Sequence, residues 1–301
     1  MTKRVYVTGS KGMVGSRFLE LKSKLFDALS PEVEKLDITD KEALNSFFDT
    51  EKPDAVVHFA AYTNVGEAEN QRKDRSGPCW KINVEGSKNL AEVCKKFNSH
   101  LIHISTDYVF SGMPDDPGPY EENHLPEKDE EKLTWYGFTK AQAESEVSNI
   151  LGKDFTIVRL IYPVRAKFEG KLDYIRKPLS LFDEGKLYPM FTDQQVSITY
   201  IDEACSAINK IIEGKTYGIF HASTSNTTTP HELISYVIEK TRGAKDAVKP
   251  SSLDEFLKTA ASPVRYPKYG GLKVQETEKR LGIKFSTWRE MVDKLVLQGL
   301  R

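Results

Sequence analysis

Residues 5–15, VYVTGSKGMVG, join a short apolar run to three regularly spaced glycines, Gly9, Gly12 and Gly15. The run VYVT has the β-branched and aromatic composition of a buried strand, and MVG begins a helical pattern. Glycine accepts backbone angles that a Cβ penalises, and it lets a ligand approach the N–H groups of a helix N-terminus. A strand, a glycine turn and a helix in this order predict a phosphate-binding turn, with a plain tight turn as the alternative.

The alternation of strands and helices continues along the first 160 residues. Apolar runs predict strands at 4–8, 25–29, 54–59, 100–105 and 155–160, and amphipathic stretches predict helices at 13–24, 41–50, 79–97 and 134–150. DAVVHFAA and HLIHIS are almost continuously apolar, as strands covered on both faces should be. The pattern predicts an α/β fold, a Rossmann-type doubly wound parallel sheet with helical crossovers.

A different pattern begins after residue 160, where Pro, Gly, aromatic and basic residues mix in 162–200. Further on we expect a strand at 217–221 and helices near 202–213, 229–241, 252–258 and 286–298. We therefore predict a Rossmann-type cofactor domain at 1–160, to which 195–222 returns, and a smaller α/β substrate domain made mainly of 161–301. The long acidic loop at 111–134 is interpreted either as solvated surface or as a substrate lid.

Composition argues against several classes of protein. Lys plus Arg (43) nearly balances Asp plus Glu (44), so the chain lacks the basic surface that nucleic acids and anionic membranes attract. Three widely spaced cysteines match neither a metal site nor a disulfide framework. No apolar run approaches the ~20 residues of a membrane span, and a strand begins at once without a signal peptide. We expect a soluble cytoplasmic protein without a metal.

Two later segments extend the predicted phosphate turn to a dinucleotide site. In LDITD, Asp37 offers an acceptor for an adenine amino group and Ile38 a flank for the ring, while Asp40 fits a helix cap better than Asp37 does. In HFAAYTNV, small residues after the third strand would let a nicotinamide lie against the edge of the sheet. This segment contains Ala60, Ala61, Tyr62 and Thr63.

The residues after the second strand bear on the choice between NADPH and NADH. A carboxylate there would hold the adenine ribose of NADH, but FDALSP has Ser30 and Pro31 at that position. Without such a charge a 2′-phosphate is not repelled, and Lys11 could help to neutralise it. The sequence therefore favours NADPH, with use of both cofactors as the alternative.

Tyr136 and Lys140 lie four residues apart in TWYGFTKAQAE, so they share one face of a helix. A phenol is a poor acid or base at neutral pH unless its anion is stabilised, and an ammonium on the same face does that. This helix should pack beside the strand that ends in Ser105, Thr106 and Asp107. Thr106 would then hydrogen-bond the substrate oxygen that Tyr136 protonates. A surface Tyr–Lys pair and a simple helix cap are the alternatives.

Several phrases together resemble the dTDP-4-dehydrorhamnose reductase-like family of extended short-chain dehydrogenase/reductases. They include LDITD, PDAVVHFAAYTNVGEAE, INVEGSKNLA, STDYVFSG, YGFTKAQAE and PKYGGLKVQETEKRLGI. The resemblance implies reduction of a 4-keto nucleotide sugar by NAD(P)H, with Thr106, Tyr136 and Lys140 catalytic. Cofactor contacts expected from the motifs and the resemblance are Gly9, Lys11, Gly12, Met13, Val14, Gly15, Asp37, Ile38, Ala60, Ala61, Tyr62, Thr63, Tyr136 and Lys140.

The chain departs from the family's usual pattern on the substrate side. The resemblance places Thr106 and Asp107 against the sugar, and it places Tyr162 of VRLIYPV where the family usually has a tryptophan. Basic residues of the second half could bind a diphosphate, although scattered basic side chains are usually solvated. Those considered are Arg159, Lys167, Lys171, Arg176, Lys177, Arg265 and Lys268, of which Arg265 is favoured.

Two other functions stay open. An epimerase or dehydratase of the same superfamily would act on a nucleotide sugar without consuming its cofactor. A non-catalytic regulatory subunit, resembling that of methionine adenosyltransferase, would bind a partner enzyme. A scaffold needs no intact set of Thr106, Tyr136 and Lys140, so the sequence favours catalysis. A homodimer is among the assemblies considered.

Overall fold

The computed structural model describes residues 2–260 and 266–301, in which strands and helices alternate as the sequence predicts. The first half contains β1 (Lys3–Thr8), α1 (Met13–Leu21), β2 (Phe26–Leu29), α2 (Lys41–Glu51), β3 (Ala55–His58), α3 (Val65–Glu69), α4 (Pro78–Trp80), α5 (Ser87–Phe97), β4 (His100–Thr106), α6 (Trp135–Leu151) and β5 (Thr156–Leu160). The second half contains α7 (Arg176–Asp183), β6 (Met190–Phe191), α8 (Ile201–Gly214), β7 (Gly218–Ala222), α9 (Pro230–Arg242), β8 (Pro250–Ser251), α10 (Leu253–Leu257), α11 (Gln275–Leu281) and α12 (Trp288–Leu297).

Within the described residues, six strands form one sheet in the order β2-β1-β3-β4-β5-β7. β1 pairs in parallel with both β2 and β3, and β3 pairs in parallel with β4. The chain leaves β1 to one side for β2 and returns on the other side for β3. Such a reversal creates the crevice in which open α/β sheets bind ligands, beyond the carboxyl ends of the strands. The predicted α/β class and Rossmann-type sheet are confirmed.

The chain forms two compact units, each with an apolar core of its own. Unit 1 comprises 2–110, 125–159 and 205–220, and unit 2 comprises 111–124, 160–204, 221–260 and 266–301. In unit 1, Tyr6, Phe48 and Leu101 belong to a buried cluster between the sheet and its helices. In unit 2, Trp288 and Leu233 belong to another. The sequence pattern did not predict that 111–124 belongs to the second unit.

The helix predicted over 79–97 is interrupted. α4 is followed by a π-helical stretch, Lys81–Gly86, before α5 begins. A π turn contains one residue more than an α turn and is frequent at functional sites. Asn83 lies in this stretch and is 1% exposed. The interruption thus turns a polar amide into the interior of unit 1.

The middle of the acidic loop is fastened within unit 2. The Tyr120 hydroxyl donates to Asp116 O at 2.7 Å and accepts the Gly112 N–H at 2.8 Å. The buried Glu122 carboxylate accepts the Thr277 N–H and hydroxyl, both at 2.9 Å. This part of the loop therefore belongs to the packing of unit 2.

In the residues that the structure describes, no helix is both long and apolar enough to cross a bilayer.

Candidate active site

The glycine turn after β1 approaches the segment after β3. Gly9 has φ +62°, and a Cβ there would lie 2.7 Å from Ala60 N, so only glycine fits without a shift. A Cβ on Gly15 would lie 2.4 Å from Gly9 O, which explains the third glycine. Gly12 precedes α1 and no side chain caps that helix. A helix N-terminus without a side-chain cap suits a phosphate, and the contacts of Met13 and Val14 with one stay predictions.

Asn83 holds the backbone of the segment after β3. Its Oδ1 accepts the Tyr62 N–H at 2.7 Å, and its Nδ2 donates to Tyr62 O at 3.3 Å and to Thr139 Oγ1 at 2.9 Å. Ala60 N–H in turn donates to Thr8 Oγ1 at 3.0 Å. Sequence reasoning did not single out Asn83. INVEGSKNLA contains it, but its contacts depend on the π-helical turn.

The predicted adenine contacts lie at the start of α2. Asp37 is exposed, and its Oδ1 accepts the Thr39 N–H at 2.8 Å and the Thr39 hydroxyl at 2.9 Å. Ile38 is 6% exposed and packs in the core of unit 1. Asp40 caps α2 by accepting the Ala43 N–H at 2.9 Å, as expected. The roles of Asp37 and Ile38 toward adenine stay predictions.

Lys11 has an acidic partner that sequence reasoning missed. Its Nζ lies 2.8 Å from Glu32 Oε1, and both side chains are exposed. The hydrogen bond and charge of Glu32 raise the pKa of Lys11, and Lys11 lowers the pKa of Glu32. Ser30 and Pro31 occupy the position where NADH would require a carboxylate, and the acid Glu32 follows directly after them. The glycine turn and the segment after β2 therefore carry charges of opposite sign beside each other.

The carboxyl end of β4 brings Thr106, Asp107 and Tyr136 together. The Thr106 hydroxyl donates to Asp107 Oδ1 at 3.1 Å and accepts the Tyr108 N–H at 3.3 Å. The Tyr108 and Tyr136 rings meet edge to face, with centroids 5.7 Å apart. The Thr106 side chain also lies close enough to the Tyr136 phenol to act on its pKa, in the lowering direction. The hydroxyls predicted to act on one substrate oxygen are thus neighbours.

Burial changes the acidity of both titratable groups here. It raises the pKa of Asp107 to about 7, against hydrogen bonds from Thr106 and two backbone N–H groups. Burial, followed by the Asp107 and Tyr108 charges, raises the pKa of Tyr136 above its ordinary value. We expected Lys140 to lower this pKa, and the structure gives the opposite direction. The phenol is therefore protonated at neutral pH, as a proton donor must be.

Lys140 lies one helical turn after Tyr136 and is 2% exposed. Its Nζ donates to Ile104 O at 2.8 Å and lies 3.2 Å from His103 Nε2. Burial lowers the pKa of Lys140 to about 8, although the charge of Glu144 opposes the shift. The side chain is thus an ammonium at neutral pH, held against the interior of β4.

The predicted substrate contacts beyond β4 have different surroundings. Tyr162 lies in unit 2 with φ +40°, and its ring stacks on Tyr174 with centroids 4.1 Å apart. Arg159 is fully buried and pairs with Glu144 at 2.9 and 2.7 Å, so it is no diphosphate ligand. Arg265, our favoured ligand for the diphosphate, lies outside the described residues.

Residues 2–260 and 266–301 contain no cluster of His, Cys, Asp or Glu that could hold a metal.

Comparisons with known proteins identify relatives along the whole chain. The family model "RmlD substrate binding domain" matches residues 3–300. A dTDP-4-keto-6-deoxy-D-glucose reductase from Streptomyces niveus is 30% identical over 77% of this chain and 77% of its own length. Methionine adenosyltransferase 2 subunit beta from Rattus norvegicus is 27% identical over 97% of this chain and 90% of its own length.

A solved structure is also similar to this chain along its whole length. The crystal structure of a dTDP-4-dehydrorhamnose reductase from Bacillus anthracis str. Ames, in complex with NADP, is 27% identical with a TM-score of 0.83. The match covers 99% of this chain and 100% of that chain. The expected class, an NAD(P)H-dependent oxidoreductase, agrees with the names of the reductase relatives and with this complex. Because the family model covers almost all of its length, the chain belongs to the RmlD substrate binding domain family, and the resemblance to dTDP-4-dehydrorhamnose reductases is confirmed.

Proposed function

We propose that this protein reduces the 4-keto group of a nucleotide sugar with NADPH. The observation that carries the proposal is the grouping of Thr106, Asp107 and Tyr136 at the carboxyl end of β4, where Thr106 donates to Asp107 and the Tyr136 ring packs on Tyr108. Lys140 follows one turn later, in the same unit as the uncapped glycine turn. The names of the reductase relatives support a keto sugar linked to dTDP as the first substrate to test.

The chain's own residues would hold the substrate oxygen and supply its proton. Bound NADPH supplies a hydride for the carbonyl carbon. Tyr136 is protonated, so it can donate its proton to the oxygen as negative charge develops there. The Thr106 hydroxyl is the second donor, and the buried Lys140 ammonium stabilises the charge left on the phenol. Asp107 would contact the sugar.

The residues of the turn fit a dinucleotide. The absence of a Cβ on Gly9 and Gly15 lets the turn pack tightly against Ala60 and against the start of α1, and no side chain caps that helix. The turn of residues 9–15 would hold the pyrophosphate. Lys11 would reach an adenosine 2′-phosphate, and the NADP complex of the Bacillus anthracis relative supports NADPH over NADH.

The test is a panel of 4-keto nucleotide sugars incubated with NADPH or NADH. We expect one NADPH oxidised for each sugar reduced, measured by absorbance and by product mass. A product two mass units heavier than the substrate identifies reduction. Conversion without net NADPH oxidation would establish the epimerase or dehydratase alternative. Recovery of a methionine adenosyltransferase in a pull-down, without reduction of any keto sugar, would establish the regulatory subunit.

Tyr136→Phe tests the proton donor. We expect a loss of at least ~100-fold in turnover, the usual effect of removing a general acid, with NADPH affinity largely retained. The matched control is Tyr108→Phe, because the two rings are in contact and only one hydroxyl is assigned to proton transfer. Equal losses in the two variants would contradict the assignment.

The cytoplasmic location and the homodimer stay predictions.

A further inference from the structure

His103 lies inside β4, three residues before Thr106, and is 0% exposed. Its Nε2 is 3.2 Å from Lys140 Nζ. The other hydrogen bond of this Nζ within the described residues is to Ile104 O, at 2.8 Å. No sequence motif singled out this histidine, and it touches the lysine on which the proposed function depends.

The hydrogen bonds determine the tautomer of His103. An ammonium only donates, so Nε2 must present its lone pair to Lys140 and the ring proton must be on Nδ1. Burial, then the positive charge of Lys140, lowers the pKa of His103 well below its usual range, so the ring is neutral. Its Nδ1 is buried and has no hydrogen-bond partner within residues 2–260 and 266–301.

The neighbouring His58, with its ring centroid 5.3 Å away, has the opposite tautomer. The Ser87 hydroxyl donates to Asn83 O at 2.6 Å, so it must accept from His58 Nε2, at 3.1 Å. The Thr8 hydroxyl then donates to His58 Nδ1 at 2.8 Å. Burial lowers the pKa of His58 to about 3, so this ring is neutral as well. The two histidines provide an internal comparison.

A neutral acceptor beside Lys140 has a different effect from a carboxylate. A carboxylate would hold the ammonium and cancel its field at Tyr136, whereas an imidazole holds it and leaves the charge intact. Glu144, the nearest acid along α6, has both oxygens bonded to Arg159. Cys79 acts on Lys140 only through a small Coulombic effect, and burial raises the pKa of its thiol. The positive charge therefore stays available to Tyr136 and to a bound cofactor.

We propose that His103 is the positioning residue for Lys140, a neutral acceptor that orients the ammonium without cancelling its charge. This inference rests on the proposed function for its purpose. Lys140 has three N–H donors, of which Ile104 O and His103 Nε2 take two. The third is thereby left for a ligand hydroxyl, such as the nicotinamide ribose.

The first test is spectroscopic and needs no substrate. In ¹⁵N-histidine-labelled protein, long-range ¹H–¹⁵N correlations distinguish the two tautomers, and His103→Gln and His58→Gln assign the signals. We expect His103 to be protonated on Nδ1, His58 on Nε2, and neither to titrate between pH 6 and 8. Lys140→Met should shift the His103 Nε2 resonance. A positively charged His103, or one protonated on Nε2, overturns the inference.

The second test measures NADPH affinity against pH. We expect His103→Phe to weaken NADPH binding about tenfold, the effect of losing a hydrogen bond to a charged group. The pH at which affinity is lost should fall by roughly one unit, because the charged lysine loses an acceptor. His103→Gln, which retains a neutral acceptor, should restore both the NADPH affinity and the pH at which that affinity is lost. His103→Glu should bind NADPH yet lower turnover more than His103→Gln does.

The matched control is His100→Phe, on the same strand. His100 is also buried, but it pairs with Thr156 at 2.8 Å and should affect stability without moving the pH profile of NADPH binding. A wild-type pH profile in His103→Phe, or equal turnover in His103→Glu and His103→Gln, overturns the inference. If no keto sugar is reduced by the unaltered protein, the proposed function fails, while the spectra and NADPH binding still decide the role of His103.

Discussion

The Thr106 hydroxyl has a single proton, and Asp107 decides where that proton points. When Asp107 is ionised, the hydroxyl must donate to its Oδ1, 3.1 Å away. When Asp107 is protonated, the carboxyl can donate to Thr106 Oγ1 and leave the hydroxyl proton for a substrate oxygen. The protonation state of one buried carboxyl therefore controls whether Thr106 can serve as a donor in the proposed reaction.

We expect turnover to fall as pH rises through about 7, the value to which burial raises the pKa of Asp107. The groups that face this carboxyl are the Thr106 hydroxyl, the Tyr108 N–H and, from α6, Tyr136. Asp107→Asn donates at every pH, so its turnover should be nearly constant between pH 6 and 7, below the pKa of about 8 of Lys140. The measurement is kcat against pH at saturating NADPH.

The same carboxyl should make stability depend on pH. Because its pKa is raised from 3.8 to about 7, the folded protein keeps a proton that the unfolded chain has lost. The free energy of unfolding should therefore fall as pH rises from about 4 to about 7. Asp107→Asn should remove this slope in urea titrations. A variant that keeps both the slope and the fall in turnover would exclude Asp107 as their origin.

Lys11 and Glu32 should determine the choice of cofactor. Glu32→Gln frees Lys11 for an adenosine 2′-phosphate and removes a repelling charge, so the preference for NADPH over NADH should rise roughly tenfold. Lys11→Ala should change the preference in the other direction. The measurement is the ratio of kcat/KM for the two cofactors. The control is Glu34→Gln, an acid that acts on Lys11 only through a small Coulombic effect.

At the scale of elements, α6 is fixed at its N-terminus and in its middle. Thr134 caps it by accepting the Gly137 N–H at 3.0 Å. A Cβ on Gly137 would lie 2.1 Å from Tyr108 O, so glycine allows the helix to approach the turn after β4. Further along, Glu144 binds the Arg159 guanidinium of β5 through both carboxylate oxygens. These contacts hold the helix of Tyr136 and Lys140 against the sheet.

Breaking the Glu144–Arg159 pair should be costly. Glu144→Gln leaves a fully buried guanidinium without a counter-charge, which we expect to lower the free energy of unfolding by about 3–5 kcal/mol. The double variant Glu144→Met/Arg159→Met should recover most of the loss, because both charges disappear. Urea titration measures the free energy of unfolding of both variants. The control is Asp183→Asn, whose partner Arg242 is partly exposed, with an expected cost below about 1 kcal/mol.

At the scale of the whole molecule, segments far apart in sequence meet at the reversal of strand order between β1 and β3. The turn of residues 9–15, the segment 60–63 and the π-helical residues 81–86 all belong to unit 1. Their positions relative to one another follow from parallel strands, whose carboxyl ends lie at one edge of the sheet. The fold thus places segments that are separated in the chain, and that carry the predicted cofactor and catalytic residues, in one unit.

The sequence by itself determined the alternation of strands and helices, the glycine turn, and the Tyr136–Lys140 spacing, because these depend on local periodicity and on backbone sterics. Only the tertiary structure decided the partners of buried polar groups: Glu32 for Lys11, Arg159 for Glu144, His103 for Lys140, and the raised pKa of Asp107. Such partners come from distant segments, and a buried group's acidity depends on solvation that the fold removes. No local sequence pattern encodes the partners of a buried group or its acidity.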